Sequence, residues 1–309
     1  MRNKVVIGTR TSKLALYQTH KVKKELKKNF PDLDIGVLEV KTKGDILLDK
    51  PLDRNLDKGF FVKEIQELLL TNKIDIAVHS LKDLPVEQLD ELKISAILKR
   101  GNPQDVFISR KNKKLSDFTG SDLIGTTSLR RKAQLLKLNP KLKIKDVRGN
   151  VDTRIKKMIE GQYDGLVMAA AGIERLKLNK HITEYLEFEL FLNAPGQGAI
   201  AVEINSKNDE LDKIVSTINH KKTMICTKNE RNFMKKMGGG CNYPIGAHSY
   251  VNEGKLILEG IVLSLDGKKS IKHRVESSNL NEDLSIDLSK KFNEENVTEL
   301  INEIDNEIK

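Results

Sequence analysis

The sequence predicts an α/β fold: two similar doubly wound domains joined by a hinge, then a smaller C-terminal α+β domain with a three-stranded antiparallel sheet. Three observations carry this. Short apolar runs alternate with helical patterns through residues 3–98, without hairpin turns, as in a parallel sheet covered by helices. The same alternation begins again after the turn cluster GNPQD at 101–105. The last third instead carries three alternating runs joined by NEG and DG turns, the pattern of a meander. The domains expected are 1–99 with 196–218, then 100–195, then 219–309.

Residues 3–9 read as a buried strand, and a helix follows from Ser12 with Ala15, Val22 and Leu26 on one stripe. LDIGVLEV (33–40) is a second strand, a helix spans 60–71, and IDIAVHS (74–80) and LKISAIL (92–98) are further strands. Beyond GNPQD, DVFIS and LIGTT are strands and a helix opens at Thr127 or Ser128. KIKDVRG reads as a strand. The next helix has Asn150 as its cap, Val151, Ile155, Met158 and Ile159 along one face, and Gly161 as its stop. GLVMAAAG is a strand, NAPGQG (193–198) a second Gly/Pro hinge, and AIAVEI a strand. After a helix near 222–237 and the break at GGGC come the meander strands AHSYV, KLILEGIVLSL and KSIKHRVES. Two helices close the chain. One aligns Leu284, Leu288 and Phe292; the other aligns Val297, Leu300, Ile301, Ile304 and Ile308. Two connections between the first pair of domains point to a ligand held in a cleft.

Composition narrows the function. No apolar run approaches the ~20 residues of a membrane span, and MRNKVVIGTR lacks the apolar core of a signal peptide. The net charge of +10 suits nucleic acid or small anions alike, but the aromatic fraction is 5 % with no Trp, so stacking platforms for bases are scarce. The two cysteines, Cys226 and Cys241, have no CxxC or His-rich spacing. Neither a zinc site nor a disulfide is expected.

In GTTSLRRKAQL (125–135), Arg130 and Arg131 occupy the first turn of a helix. That end already carries positive partial charge, so each cation costs about 0.3–1 kcal/mol there. Arg10, Arg148 and Arg154 also fall between a strand and the start of a helix. Ligands of open α/β sheets bind at such ends. An anion among these groups reverses the sign of the cost, whereas side chains swung into water remove it. For all five arginines together, a polyanionic ligand is the better reading.

Asp83, after Lys82 at the end of the 74–80 strand, stays ionised among cations and suits either a cationic intermediate and proton transfer or a structural Asx turn. His79 reads as a packed residue. Cys241 follows three glycines, which leave a thiol accessible; it is either an attachment point or an incidental loop cysteine. Cys226 shares a helical stripe with Phe233 and Met237 and belongs to the core. Gln197, between two glycines, marks either a close approach to ligand or simply the hinge.

Seven motifs now stand in order: GTRTSKLAL, VHSLKDLP, GTTSLRR, RGNVDTR, AAAGIERL, GQGAIAVE, and ERNF leading to GGGCNYPIG. Together they closely resemble the porphobilinogen deaminase (hydroxymethylbilane synthase) family. The resemblance implies two lobes of periplasmic-binding-protein type plus a third domain. It implies a dipyrromethane cofactor on a thioether to Cys241, and condensation of four porphobilinogens head to tail with loss of ammonia. Hydrolysis then releases hydroxymethylbilane, in tetrapyrrole biosynthesis. The family's catalytic aspartate falls on Asp83. Its cofactor contacts fall on Lys82, Asp83, Thr126, Ser128, Arg130, Arg131, Arg148 and Gly149. Its substrate contacts fall on Arg10, Ser12, Arg148, Arg154 and Gln197, with Arg175 a weaker match. One departure is RNLDKGFF (54–61), where the family carries a glycine-rich stretch: Lys58, Gly59 and Phe61 match and the preceding glycines are missing.

On this reading the arginines face incoming carboxylates, Asp83 stabilises a cationic methylene-pyrrolenine, and replacing Arg130 or Arg131 impairs cofactor assembly but not folding. The expected protein is a cytoplasmic monomer that uses no metal, nucleic acid or membrane. A non-catalytic two-lobed binding protein for small anions leaves Cys241 without a role. A nucleic-acid binder predicts affinity that falls steeply with salt and ignores Cys241.

Overall fold

The computed structural model describes residues 3–42, 62–240 and 243–308. The expected attachment cysteine, Cys241, and the 54–61 loop lie outside the described residues, as do the first two positions of the helix expected at 60–71.

The chain forms two compact units, Met1–Gly101 with Gly198–Met224, and Asn102–Gln197 with Ile225–Lys309. The first opens with β1 (Lys4–Arg10), α1 (Lys13–Asn29) and β2 (Asp34–Val40). It continues through α2 (Lys63–Leu70), β3 (Ile76–Ser80) and β4 (Leu92–Ile97). The second contains β5 (Asp105–Ser109), β6 (Leu123–Gly125), α3 (Leu129–Leu138), β7 (Lys143–Lys145) and α4 (Val151–Ile159). β8 (Gly165–Ala169), α5 (Ala170–Arg175) and β9 (Glu184–Leu186) follow. β10 (Ile200–Asn205) and α6 (Asp209–Val215) return to the first unit, and α7 spans Lys221–Lys236. The chain ends with β11 (Ile245–Asn252), β12 (Lys255–Leu263), β13 (Ser270–Ser277), α8 (Ser285–Glu294) and α9 (Val297–Ile308).

The two five-stranded sheets have matching orders, β2-β1-β3-β10-β4 and β7-β6-β8-β5-β9. They are mixed, which corrects the expectation of parallel sheets. β10 runs antiparallel to both β3 and β4, and β5 antiparallel to both β8 and β9. Each reversed strand arrives through a segment linking the units, 98–104 for β5 and 187–199 for β10, without the crossover helix that would restore its direction.

The core of the first sheet gathers Val5, Ile7, Val22, Leu26, Ile76 and Val202, all fully or nearly fully buried. In the second unit Phe107 meets Phe118 edge-on at 4.8 Å, over a core that includes Ile124, Leu135 and Val167. The three-stranded meander is antiparallel throughout, with β12 in the middle. Its helices close it as expected, with Leu284, Leu288, Phe292, Val297, Leu300 and Ile304 buried and Phe233 against Phe292 at 4.9 Å. Ala133, Leu192, Ile261 and Leu263 join α3 and β12 in one apolar cluster. Gly267 lets the DG turn approach α3, because a Cβ there would lie 2.4 Å from the Ala133 carbonyl oxygen.

Other boundaries moved. Only Lys143–Lys145 of KIKDVRG is strand, and AAG belongs to α5. Asn150 is the N-cap residue of α4 but makes no side-chain capping bond. Ile159 is 58 % exposed while Ile155 and Met158 are buried.

Candidate functional site

Parallel strands end side by side, and the expected site residues follow those ends. In the second unit β6 and β7 pair in parallel, and the Thr126 amide continues the ladder to the Lys145 carbonyl at 3.0 Å. Thr126 is buried, and its hydroxyl accepts from the Ser128 amide at 3.3 Å. Ser128 caps α3, accepting from the Arg131 amide at 3.4 Å. Arg130 and Arg131 therefore stand in the first turn, as the sequence indicates.

Their surroundings were not expected. Arg130 and Arg131 are 3 % and 7 % exposed, and both pair with Asp105 at the start of β5. The distances are 2.8 Å from Arg130 Nη1 to Asp105 Oδ2 and 2.7 Å from Arg131 Nη2 to Oδ1. Arg130 also donates to the Leu192 carbonyl at 2.6 Å, and Arg131 to that of Val167 at 3.0 Å. Burial pushes the Asp105 carboxyl up, but the charges and hydrogen bonds of Arg130 and Arg131 outweigh it and hold it well below the usual carboxylate range. Burial lowers the Arg130 pKa, against the opposing pull of Asp105. The anion facing the two cations is thus a side chain of the same unit. Sequence reading missed Asp105 because it closes a turn cluster, where a lone Asp ordinarily points to water.

The loop after β7 carries the second group. Gly149 adopts φ +113°, and a Cβ there would lie 2.7 Å from Thr153 Cγ2. Its carbonyl accepts from Arg154 Nε at 2.7 Å, and that of Arg148 accepts from Lys157 Nζ at 3.2 Å. Arg148 and Arg154 are half-buried beside the N-terminal end of α4.

In the first unit β1 and β3 are also parallel neighbours. Arg10 ends β1, and Ser12 caps α1 by accepting from the Ala15 amide at 3.3 Å. Beyond β3 the chain makes a 3₁₀ turn, Leu81–Asp83. Leu81 and Leu84 are buried and anchor it, and the Leu81 amide donates to the Ala199 carbonyl at 3.1 Å. Between those anchors Lys82 is half-buried, and Asp83 is exposed with no hydrogen bond or ion pair to the described residues. His79 is buried, as expected, with its Nε2 3.2 Å from Glu203 Oε2; Gln66 donates to Glu203 Oε1 at 2.9 Å.

Gln197 is fully buried, and its side chain points into its own unit. Its Nε2 donates to the Pro103 carbonyl at 2.8 Å and to Asp105 Oδ1 at 2.9 Å. Gly238–Gly240 precede Cys241, the expected attachment position, and Cys226 is buried, as expected.

Two family models cover most of the chain. The dipyromethane cofactor binding domain of porphobilinogen deaminase matches residues 5–213, and the C-terminal domain of porphobilinogen deaminase matches residues 224–295. The chain belongs to the porphobilinogen deaminase family. A porphobilinogen deaminase from Chloroherpeton thalassium is 42 % identical over 91 % of this chain and 89 % of its own length. One from Syntrophomonas wolfei is 46 % identical over 87 % and 88 %. Among solved structures, a TRAP periplasmic solute binding protein from Desulfovibrio salexigens covers 72 % of this chain and 74 % of its own, with a TM-score of 0.44 at 11 % identity.

The chain is therefore an enzyme of tetrapyrrole biosynthesis with porphobilinogen deaminase activity and a dipyrromethane cofactor. Its donor set fits such a group, whose rings bear acetate and propionate. Two guanidiniums outnumber the one carboxylate between them, and Arg130 Nε–H is buried without an acceptor among the described residues. No helix among the described residues is long and apolar enough to cross a membrane.

Proposed function

We propose that this chain condenses four porphobilinogens head to tail onto a dipyrromethane attached to Cys241, releasing ammonia at each addition and hydroxymethylbilane by a final hydrolysis. When bound, the cofactor supplies the electron-rich pyrrole carbon that is extended. Asp83 is the catalytic residue. Its exposed carboxylate makes no ion pair among the described residues, so it is available to stabilise positive charge on the substrate and to hold a pyrrole proton. The single observation that carries this role is that carboxylate, held by buried Leu81 and Leu84 at the carboxyl end of a parallel strand.

The remaining roles divide by unit. Arg10 and Ser12 bind substrate carboxylates at the start of α1, and Lys82 contacts the cofactor beside Asp83. Arg130, Arg131, Thr126, Ser128 and Gly149 hold cofactor carboxylates, Arg148 serves cofactor and substrate, and Arg154 binds substrate. Gln197 acts on the substrate side through the segment it orders. The three-domain division at about residues 99, 195 and 218 belongs to the same reading. So does a monomer, since each chain carries all seven motifs. A cytoplasmic setting keeps the Cys241 thiol reduced until it reacts.

Intact mass tests the assignment. The purified chain should exceed its sequence mass by two pyrrole units, and Cys241→Ser should remove the excess. An unmodified mass in protein made by cells replete in porphobilinogen would overturn it.

A further inference from the structure

One carboxylate serves two buried cations and a linking segment. Asp105 Oδ2 accepts from Arg130 Nη1 at 2.8 Å. Oδ1 accepts from Arg131 Nη2 at 2.7 Å, Arg131 Nε at 3.1 Å and Gln197 Nε2 at 2.9 Å. Three donors thus converge on Oδ1 and one on Oδ2, so the carboxylate is held from four directions. Arg131 is engaged at all three nitrogens, the last through the Val167 carbonyl at 3.0 Å, so its fork cannot turn. Arg130 is held by Asp105, by the Leu192 carbonyl and over the Phe191 ring, 5.9 Å from the centroid, and it keeps an Nε–H with no acceptor among the described residues.

The cluster has one positive charge in excess and stands at a helix N-terminus of the same sign. Buried charge left unbalanced is costly, and a carboxylate ligand offsets it. Charge alone and geometry alone give opposite expectations for Asp105. If only charge mattered, removing the carboxylate would raise the positive charge and draw an anionic ligand more strongly. If it aims the two guanidiniums, removing it lets them turn and weakens capture.

We propose that Asp105 is a positioning residue for the oligopyrrole site. It fixes the direction of Arg130 and Arg131 and, through Gln197, ties the 187–199 segment to 103–105, while touching no ligand itself. This rests on the reading that the two arginines hold ligand carboxylates.

The test uses full-length, unloaded chains offered porphobilinogen. Cofactor uptake is followed by intact mass, per folded molecule and well below the unfolding temperature. Asp105→Asn should take up cofactor about tenfold more slowly or worse, the scale of loss that a small misplacement of binding groups produces. In the loaded fraction, KM for porphobilinogen should rise. Uptake at or above the native rate would overturn the proposal. Arg131→Gln and the double variant Asp105→Asn/Arg131→Gln complete a cycle, and the double variant also restores the excess charge to one should Asp105→Asn alone fail to fold. The double should be slower than Arg131→Gln by less than the factor Asp105→Asn imposes on the native chain, or by less than about tenfold if that single is unfolded. A full multiplication of losses would show that Asp105 acts independently of Arg131. Native uptake by Arg131→Gln would overturn the reading of the arginines and this proposal with it. Impaired Arg131→Gln beside a native-like Asp105→Asn would overturn this proposal alone.

Discussion

The Gly196 amide donates to Glu230 Oε2 at 2.7 Å. The other oxygen of the same buried carboxylate accepts from the Ser249 amide at 2.8 Å. One side chain on α7 therefore satisfies backbone donors of the 187–199 segment and of β11. A buried amide has to find an acceptor, and neither donor belongs to a pattern that periodicity would reveal.

Glu230→Ala should leave both donors without that acceptor, at a cost of about 1–3 kcal/mol for each. Glu230→Gln keeps one acceptor oxygen and should lose about half as much. Urea unfolding midpoints measure the difference. A native midpoint in the alanine variant would show that the contact contributes nothing.

Arg131→Ala should destabilise the fold by about 3–5 kcal/mol, because it strips a buried carboxylate of one of its two cations. This reverses the sequence-based expectation that folding would be spared. Arg148→Ala, at a half-buried position, should cost under about 1 kcal/mol. Calorimetric melting of the two variants side by side decides it, and equal losses would contradict the pairing with Asp105.

Asp83→Asn should retain the cofactor mass and the native melting temperature, within the about 0.5 kcal/mol typical of exposed sites, while turnover nearly vanishes. Steady-state rates with porphobilinogen are the measurement. Normal turnover would remove Asp83 from the chemistry.

Tyr243 donates to Asp305 on α9, and that hydrogen bond, with burial and the nearby negative charge, pushes its phenol up to about 12. The folded state thus favours the protonated phenol. Its contribution is complete below the ordinary tyrosine value of about 10 and is lost as pH rises from there through about 12. Melting curves from pH 9 to 12 should show a steeper alkaline loss in the native chain than in Tyr243→Phe. Identical slopes would sink the assignment.

Much of the fold could be read from sequence. The stripe of Val22 and Leu26, the cap at Ser128, the buried Cys226 and the apolar faces closing the meander all stand where local pattern puts them. These features depend on residues three or four apart, or on a single turn. The positions of Arg130 and Arg131 were equally legible, but their partner was not. Asp105 lies 25 residues upstream of Arg130, and its companion donor Gln197 lies 92 residues downstream of Asp105. No local signal separates an aspartate bound for the interior from one left in a turn.

The sequence by itself determined most of the helices and strands, though not α5, α6 or β9, the order of the motifs and so the family, and where cations would meet helix N-termini. Tertiary structure alone decided that β5 and β10 run against their neighbours, and that one aspartate would hold two arginines and a glutamine. The reason is physical. An apolar period reads the same in either strand direction, and the pairing of buried charges is settled only when distant segments are packed into contact.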